Sequence, residues 1–156
     1  MRIRPFEDRD AADWGRIFHA AVHGIGARDY SPSQCAAWSP EEAPAEVIRE
    51  RARDGRITWV AVDEGDMAQG FIELEADGHI DCFYIAPDHA GIGVGAALYA
   101  ALEEEARRRG LARLYVEASE AARRFFLRQG FTDQGRRDFM RRGVAMHNYA
   151  MDKVLS

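Results

Sequence analysis

The sequence predicts a mixed α/β domain, with a mostly antiparallel central sheet and helices on both faces. Three observations lead there. Strand and helix patterns alternate along all 156 residues, and the strands are more numerous. Several neighbouring strands are joined by hairpin signals, such as Glu64-Gly65-Asp66 and the turn at Gly78. One unit differs: an apolar segment ending at Pro87 passes through a glycine loop into a long helix, which leaves room for one parallel pair of strands.

Taken in order, Arg2 to Phe6 alternates polar and apolar residues and reads as a short strand. Asp10 is placed to cap a helix from Ala11 to Val22, with Trp14, Ile17, Phe18 and Ala21 on one face and Gly24 and Gly26 ending it. The Pro-, Ser- and Ala-rich stretch Tyr30 to Pro44 holds a short helix over Gln34 to Trp38. A helix follows from Ala45 to Arg53, stopped by Gly55. Ile57 to Val62, Ala68 to Glu75 and His79 to Ala86 are strands. The glycine-loop helix spans Val94 to Arg109, and Leu111 to Ala118 is the next strand. Glu120 to Gln129 is a helix closed by Gly130, and strands over Phe131 to Arg136 and Val144 to Lys153 complete the chain.

Composition excludes several functions. With 47% hydrophobic and 30% charged residues, the chain reads as one globular domain large enough for a real core. No apolar run approaches the ~20 residues of a membrane span. The start, MRIRPFEDRD, lacks an apolar signal core, so a cytoplasmic location is expected. Cys35 and Cys82 form no metal-ligand cluster and are expected as reduced thiols; no metal is expected. A net charge of −5 argues against nucleic acid as a partner. The run Arg107-Arg108-Arg109 suits the last turn of its helix.

The chemistry begins at Gly91, Gly93 and Gly95, which stand between a strand and a helix N-terminus. Glycines there let backbone N–H groups face a ligand without Cβ obstruction, and the helix dipole adds partial positive charge. Such a site takes phosphate. The segment Gly91 to Ala96 also satisfies the dinucleotide fingerprint G-x-G-x-x-G/A, with Glu117 ending the next strand. The hairpin-linked strands before it do not fit a doubly wound sheet.

The order of IAPDHAGIGVGAAL, the strand LYVEAS and the helix AARRFFLRQGF resembles the core of the Gcn5-related N-acetyltransferases, the GNAT superfamily. The tail GVAMHNYAMDKVL and the Tyr30-Ser31-Pro32 pattern are similar to those of a bacterial subgroup of small members. The resemblance implies the acyl-CoA N-acyltransferase fold and acetyl-CoA as cosubstrate. It places the pyrophosphate on backbone N–H groups of Ala90, Gly91, Ile92, Gly93, Val94, Gly95 and Ala96, and the pantetheine arm beside Phe83, Tyr84 and Ile85. The strand after the helix splays away to open a wedge. Ser119 stands where many relatives hold an Asn on the pantetheine, and it equally suits the N-cap of the following helix.

Two positions depart from the pattern. Ala90 replaces the usual Gln or Arg, with His89 beside it as a substitute polar contact. Phe126 replaces the tyrosine that often protonates the departing thiolate, so another tyrosine (Tyr84, Tyr115 or Tyr149) or solvent has to serve. Direct transfer needs a base for the amine. His79 and Asp81, which share a strand face, and Glu73 on the preceding strand are the candidates; each also suits a structural role. The acceptor pocket is expected from the first two helices and the last strands, with Tyr30, Trp38, His147 and Asn148 lining it. The expected acceptor is a small-molecule or peptide primary amine, and many relatives pair as homodimers. The competing reading is a non-catalytic acyl-CoA binding or sensing module, favoured by Ala90 and Phe126.

Overall fold

A computed structural model describes residues 1–155. Seven strands form one sheet: β1 (Arg2–Pro5), β2 (Ile57–Val62), β3 (Ala68–Leu74), β4 (His79–Ile85), β5 (Arg113–Ala118), β6 (Thr132–Arg141) and β7 (Val144–Val154). Their order is β1-β2-β3-β4-β5-β7-β6, and every neighbouring pair is antiparallel except β4 with β5. That single parallel pair is the one joined through the glycine loop and a helix, as a parallel connection requires. The helices are α1 (Ala11–Gly24), α2 (Pro32–Trp38), α3 (Ala45–Ala52), α4 (Val94–Arg108) and α5 (Glu120–Arg128). No helix of the described residues is long and apolar enough to cross a membrane.

Strand alternation sorts the core into two layers. Ile72, Leu74 and Ile80 face α4 and α5, where Leu98, Leu102 and Phe126 complete a buried cluster. Val60 and Phe71 face the other way, onto Trp14 and Ile17 of α1 and Ile48 of α3. A third cluster, Val22, Tyr30, Cys35 and Met146, ties α1 and α2 to β7.

Three local expectations change. Asp10 does not cap α1. A 3₁₀ turn, Asp8–Asp10, precedes the helix, and Asp10 already has helical backbone angles. Its buried carboxylate instead accepts from the Glu7 N–H at 2.8 Å and from Arg4 at 2.8 and 2.9 Å. The second helix starts earlier than expected, because Ser31 and Gln34 form a reciprocal capping box with Pro32 at the first helical position. The strand expected to end at Arg136 runs to Arg141. It turns at Arg142 and Gly143, both with positive φ, the geometry of a two-residue hairpin. Exposed polar residues along this edge strand hid it.

The far end of α4 is held by charge. Lys153 on β7 donates to Glu103 at 2.6 Å and to the Gln129 carbonyl at 2.8 Å, and the Tyr99 hydroxyl also donates to Glu103. Burial alone would raise the Glu103 carboxyl. The bonds from Lys153 and Tyr99 outweigh it and hold the value at about 2. A depressed carboxyl contributes stability above its ordinary 4.5 and loses it as pH falls towards 2. Glu103→Gln should therefore lower the urea midpoint at neutral pH, and its gap to wild type should narrow from about pH 5 downwards. A gap independent of pH would mean that packing, not charge, makes this clamp.

Candidate active site

The site begins where two strands part. β4 and β5 pair only at His79 with Tyr115 and Ile80 with Val116. Beyond Ile80 no rung joins them. On its other side β4 carries a bulge: Asp81 and Cys82 together oppose Glu73, between the Ile72–Phe83 and Leu74–Ile80 pairs. The divergence opens two cavities, of about 370 and 290 Å³. Tyr30, Trp38, Phe83, Tyr84, Ser119 and Ala122 line both, so the cavities meet at the wedge.

The larger cavity ends on the glycine loop. Gly91 and Gly93 have φ of 80° and 91°, and a Cβ at either would meet nothing within 4 Å. Their role is to present backbone toward open space, not to relieve crowding. Gly95 differs, since a Cβ there would lie 3.1 Å from the Phe83 ring. No side chain caps the N-terminus of α4 and no acidic residue stands in its first turn. Its orphan N–H groups and dipole are thus left for an anion. Ala90, Gly91, Gly93, Gly95 and Ala96 line the cavity. The Ile92 side chain points to solvent and Val94 is buried in the core, so these two offer backbone alone. His89 does not line the cavity, whereas Arg128 of α5 does, without an ion-pair partner among the described residues. Arg128 follows Ala121 and Phe125 at helical spacing, a stripe that sequence analysis overlooked.

The three expected bases sit differently. Glu73 is 2% exposed and takes hydrogen bonds from Trp14, Arg51 and Arg56. Burial pushes its carboxyl up against the pull of the two arginines. His79 is held by Glu75 at 2.7 Å and Glu117 at 2.9 Å, one on each ring nitrogen. Burial would lower its pKa, but the two carboxylates outweigh this and raise it. Neither Glu73 nor His79 lines a cavity. Asp81 lines the smaller one. Its carboxylate accepts from Arg51 at 2.6 Å and Arg56 at 2.7 Å, and these outweigh burial to hold it below the usual carboxylate range. Arg51 Nη2 also reaches Glu73 and the Cys82 Sγ, so an arginine occupies the centre of that cluster. Burial lifts the Cys82 thiol well above its ordinary value, which disfavours a thiolate nucleophile.

The four expected acceptor residues do come together. Tyr30, Trp38, His147 and Asn148 all line the smaller cavity. One partner was missed. Glu120 accepts from the His147 ring at 2.6 Å and from the Tyr149 hydroxyl at 2.8 Å. The Tyr30 hydroxyl accepts from the Glu120 N–H and donates to the His147 carbonyl, both at 3.1 Å. Ser119 Oγ caps α5 through the Ala122 N–H at 3.3 Å. Three elements (the α1–α2 connection, α5 and β7) therefore meet around one imidazole.

The sequence profile of the Acetyltransferase (GNAT) domain matches residues 26–153. The chain belongs to the GNAT family. A GCN5-related N-acetyltransferase from Rhodopseudomonas palustris is 34% identical and superposes with a TM-score of 0.90, over 99% of this chain and 95% of that one. The uncharacterized N-acetyltransferase YafP of Escherichia coli strain K12 is 28% identical over 151 residues, 97% of this chain and 94% of its own. YncA of Salmonella typhimurium, whose structure holds its cofactor acetyl-CoA, shares the fold at 22% identity with a TM-score of 0.74, over 100% of this chain and 94% of that one.

The acyl-CoA N-acyltransferase fold expected from the resemblance is thus the fold observed, and the activity is acetyl-CoA-dependent acetyl transfer. The dinucleotide reading falls, because a GNAT sheet with one parallel pair is not doubly wound. Phe126, where the resemblance leads one to expect a tyrosine, is fully buried. It packs against Phe83 and Phe131 and lines the smaller cavity. Of the substitute tyrosines, Tyr115 donates to Asp77 and Tyr149 to Glu120, while Tyr84 lines both cavities.

Proposed function

We propose that this GNAT enzyme transfers the acetyl group of acetyl-CoA directly to a primary amine on a small molecule or peptide. The observation that carries this is the meeting of the two cavities at the wedge, one reaching the glycine loop and the other bearing Asp81 and His147. The residues present fit the cosubstrate: an uncapped helix N-terminus, two left-handed glycines with open space above them, and an Arg128 without an ion pair among the described residues suit a phosphorylated ligand. Acetyl-CoA brings the acetyl group as a thioester. Backbone N–H groups of residues 91–96 would hold its diphosphate, the Ala90 N–H being taken by the Pro87 carbonyl at 3.3 Å, and the β4 backbone at Phe83 and Ile85, freed by the split from β5, would hold its arm.

The proton chemistry falls to the smaller cavity. Asp81 stays ionised beside its two arginines and is a weak proton acceptor, so it attracts and orients the cationic amine. Glu73 and His79 position Asp81 through Arg51, Arg56 and the shared strand face. His147 is the general base. Its Nε2–H donates to Glu120, which fixes the tautomer and leaves Nδ1 with the lone pair. Burial raises the Tyr84 phenol, so it keeps its proton and offers a hydrogen bond to the departing sulfur. The test is acetyl-CoA-dependent release of free thiol over a panel of primary amines. Binding of acetyl-CoA without turnover on any of them would favour the sensing module, the reading to which Phe126 lends weight.

Phe126 gives a second test. The Phe126 ring is fully buried yet borders the smaller cavity, and an added hydroxyl reports which way its edge faces. Phe126→Tyr should keep acetyl-CoA binding, lose less than ~1 kcal/mol of stability, and leave the rate unchanged or modestly raised. A hydroxyl buried without a partner costs about 1–3 kcal/mol. A loss of that size would mean the ring edge faces the core, away from the thioester.

A further inference from the structure

The acceptor cavity is bordered by an exposed cation, Arg141, whose side chain makes no hydrogen bond or ion pair among the described residues. Phe139 and Arg141 alternate onto one face of β6, and both line the smaller cavity. The neighbouring arginines are engaged: Arg136 pairs with Asp138, Arg137 donates to Asn148 at 2.8 Å, and Arg142 donates to the Ala37 carbonyl. Arg141 makes no ion pair among the described residues. Its guanidinium lies 5.4 Å from the Phe139 ring centre, which steers it along the cavity wall. Its charge reaches the Tyr84 phenol, where it opposes the upward push of burial.

From this arrangement we infer that the acceptor is an amine that also carries a carboxylate, an α-amino acid with an apolar side chain; this rests on the amine acetyl transfer proposed above. Asp81 and Glu117 line the β4 and β5 side and suit the ammonium end. Arg141 lines the β6 side and binds the carboxylate as a charge-assisted pair. Asn148 helps, because Arg137 holds its amide oxygen and leaves the amide N–H groups to donate. Phe18, Trp38, Phe139 and Met146 supply apolar wall for the side chain. One unpaired guanidinium matches a monoanion, and Asp81 and Glu117 oppose a dianionic phosphate. A cavity of about 290 Å³ lies just below the usual range for drug-sized ligands, as suits a small acceptor.

The test compares matched pairs of acceptors on the purified enzyme with acetyl-CoA: phenylalanine with phenethylamine, leucine with isoamylamine, and tryptophan with tryptamine. Release of free thiol is measured for each. The amino acid should exceed its decarboxylated partner by about 10–100-fold in kcat/KM in at least one pair, the range of a charge-assisted hydrogen bond. Arg141→Gln should collapse that ratio to about one, mainly through KM, while the acetyl-CoA-induced rise in melting temperature survives. Ratios near or below one in wild type, with turnover of the plain amines, would overturn the carboxylate assignment and leave amine acetylation standing. An undiminished ratio in Arg141→Gln would also overturn it. Acetyl-CoA binding with no turnover of any acceptor would overturn both readings.

Discussion

Acetyl-CoA at a hundredfold excess over its dissociation constant will raise the melting temperature by roughly 5–10 °C, and Gly93→Val will abolish the rise. The size follows from linkage: that excess is worth about 2.7 kcal/mol, and a domain of this length gains roughly 2–4 °C per kcal/mol. The loss follows from geometry. Gly93 is the N-cap of α4 in left-handed conformation, with open space where a Cβ would stand. A branched side chain would fill the approach to the helix N–H groups and resist φ of 91°. Because that strain can itself lower stability, Ala96→Glu is the companion variant. Ala96 is exposed and lines the cavity in the first turn of α4. A carboxylate there suits the helix dipole and repels a diphosphate. It should keep or raise the intrinsic melting temperature and still cut the acetyl-CoA response by more than half. An unchanged response in both variants would remove the glycine loop from cofactor binding, as would a larger response to NAD than to acetyl-CoA.

The difference between what was and was not legible in the sequence is one of range. The glycine loop was legible because its signal is local: three glycines, a strand before and a helix after. The earlier hairpins and the mixed sheet with helices on both faces were legible for the same reason, since strand period and turn residues act over a few positions. Asp10 misled because a 3₁₀ turn, which has no strong sequence mark, moved the helix start past its capping position. The last hairpin was hidden because Arg142 adopts a left-handed conformation more usual for Gly or Asn, and its guanidinium is anchored on the distant Ala37 carbonyl. The acceptor side was legible only in part. His147 and Asn148 could be placed on the final strand, but Glu120 meets His147 across 27 positions of chain. Asp81 and Glu73 were visible as acids. What governs them is Arg51 on α3 and Arg56 just before β2, brought in by packing that no short-range pattern encodes.

Replacing His147 with Gln will cost the enzyme ~10²–10⁴-fold in kcat, the usual worth of a general base, with acetyl-CoA binding intact. The imidazole lines the acceptor cavity, is backed by Glu120 and packs against Tyr30 at a tilt of 34° with ring centres 5.0 Å apart, so its ring is fixed by polar and apolar contacts together. Glu120→Gln should reproduce part of the loss. The amide can accept the same hydrogen bond but lacks the charge that stabilises an imidazolium. Asp81→Asn should behave differently. Its carboxylate is tied to two arginines and held below the usual range, so it retains little affinity for a proton. Its charge matters for attracting the ammonium, and the variant should raise KM more than it lowers kcat. The pH profile separates the two roles. The limb set by the base should vanish in His147→Gln and persist in Asp81→Asn. The opposite pattern, a large kcat loss in Asp81→Asn with His147→Gln near wild type, would return the base to β4. It would mean that Arg51 and Arg56 release the carboxylate once the acceptor is bound. Near-normal turnover in both variants would leave neither group as the base and point to an acceptor that arrives already neutral.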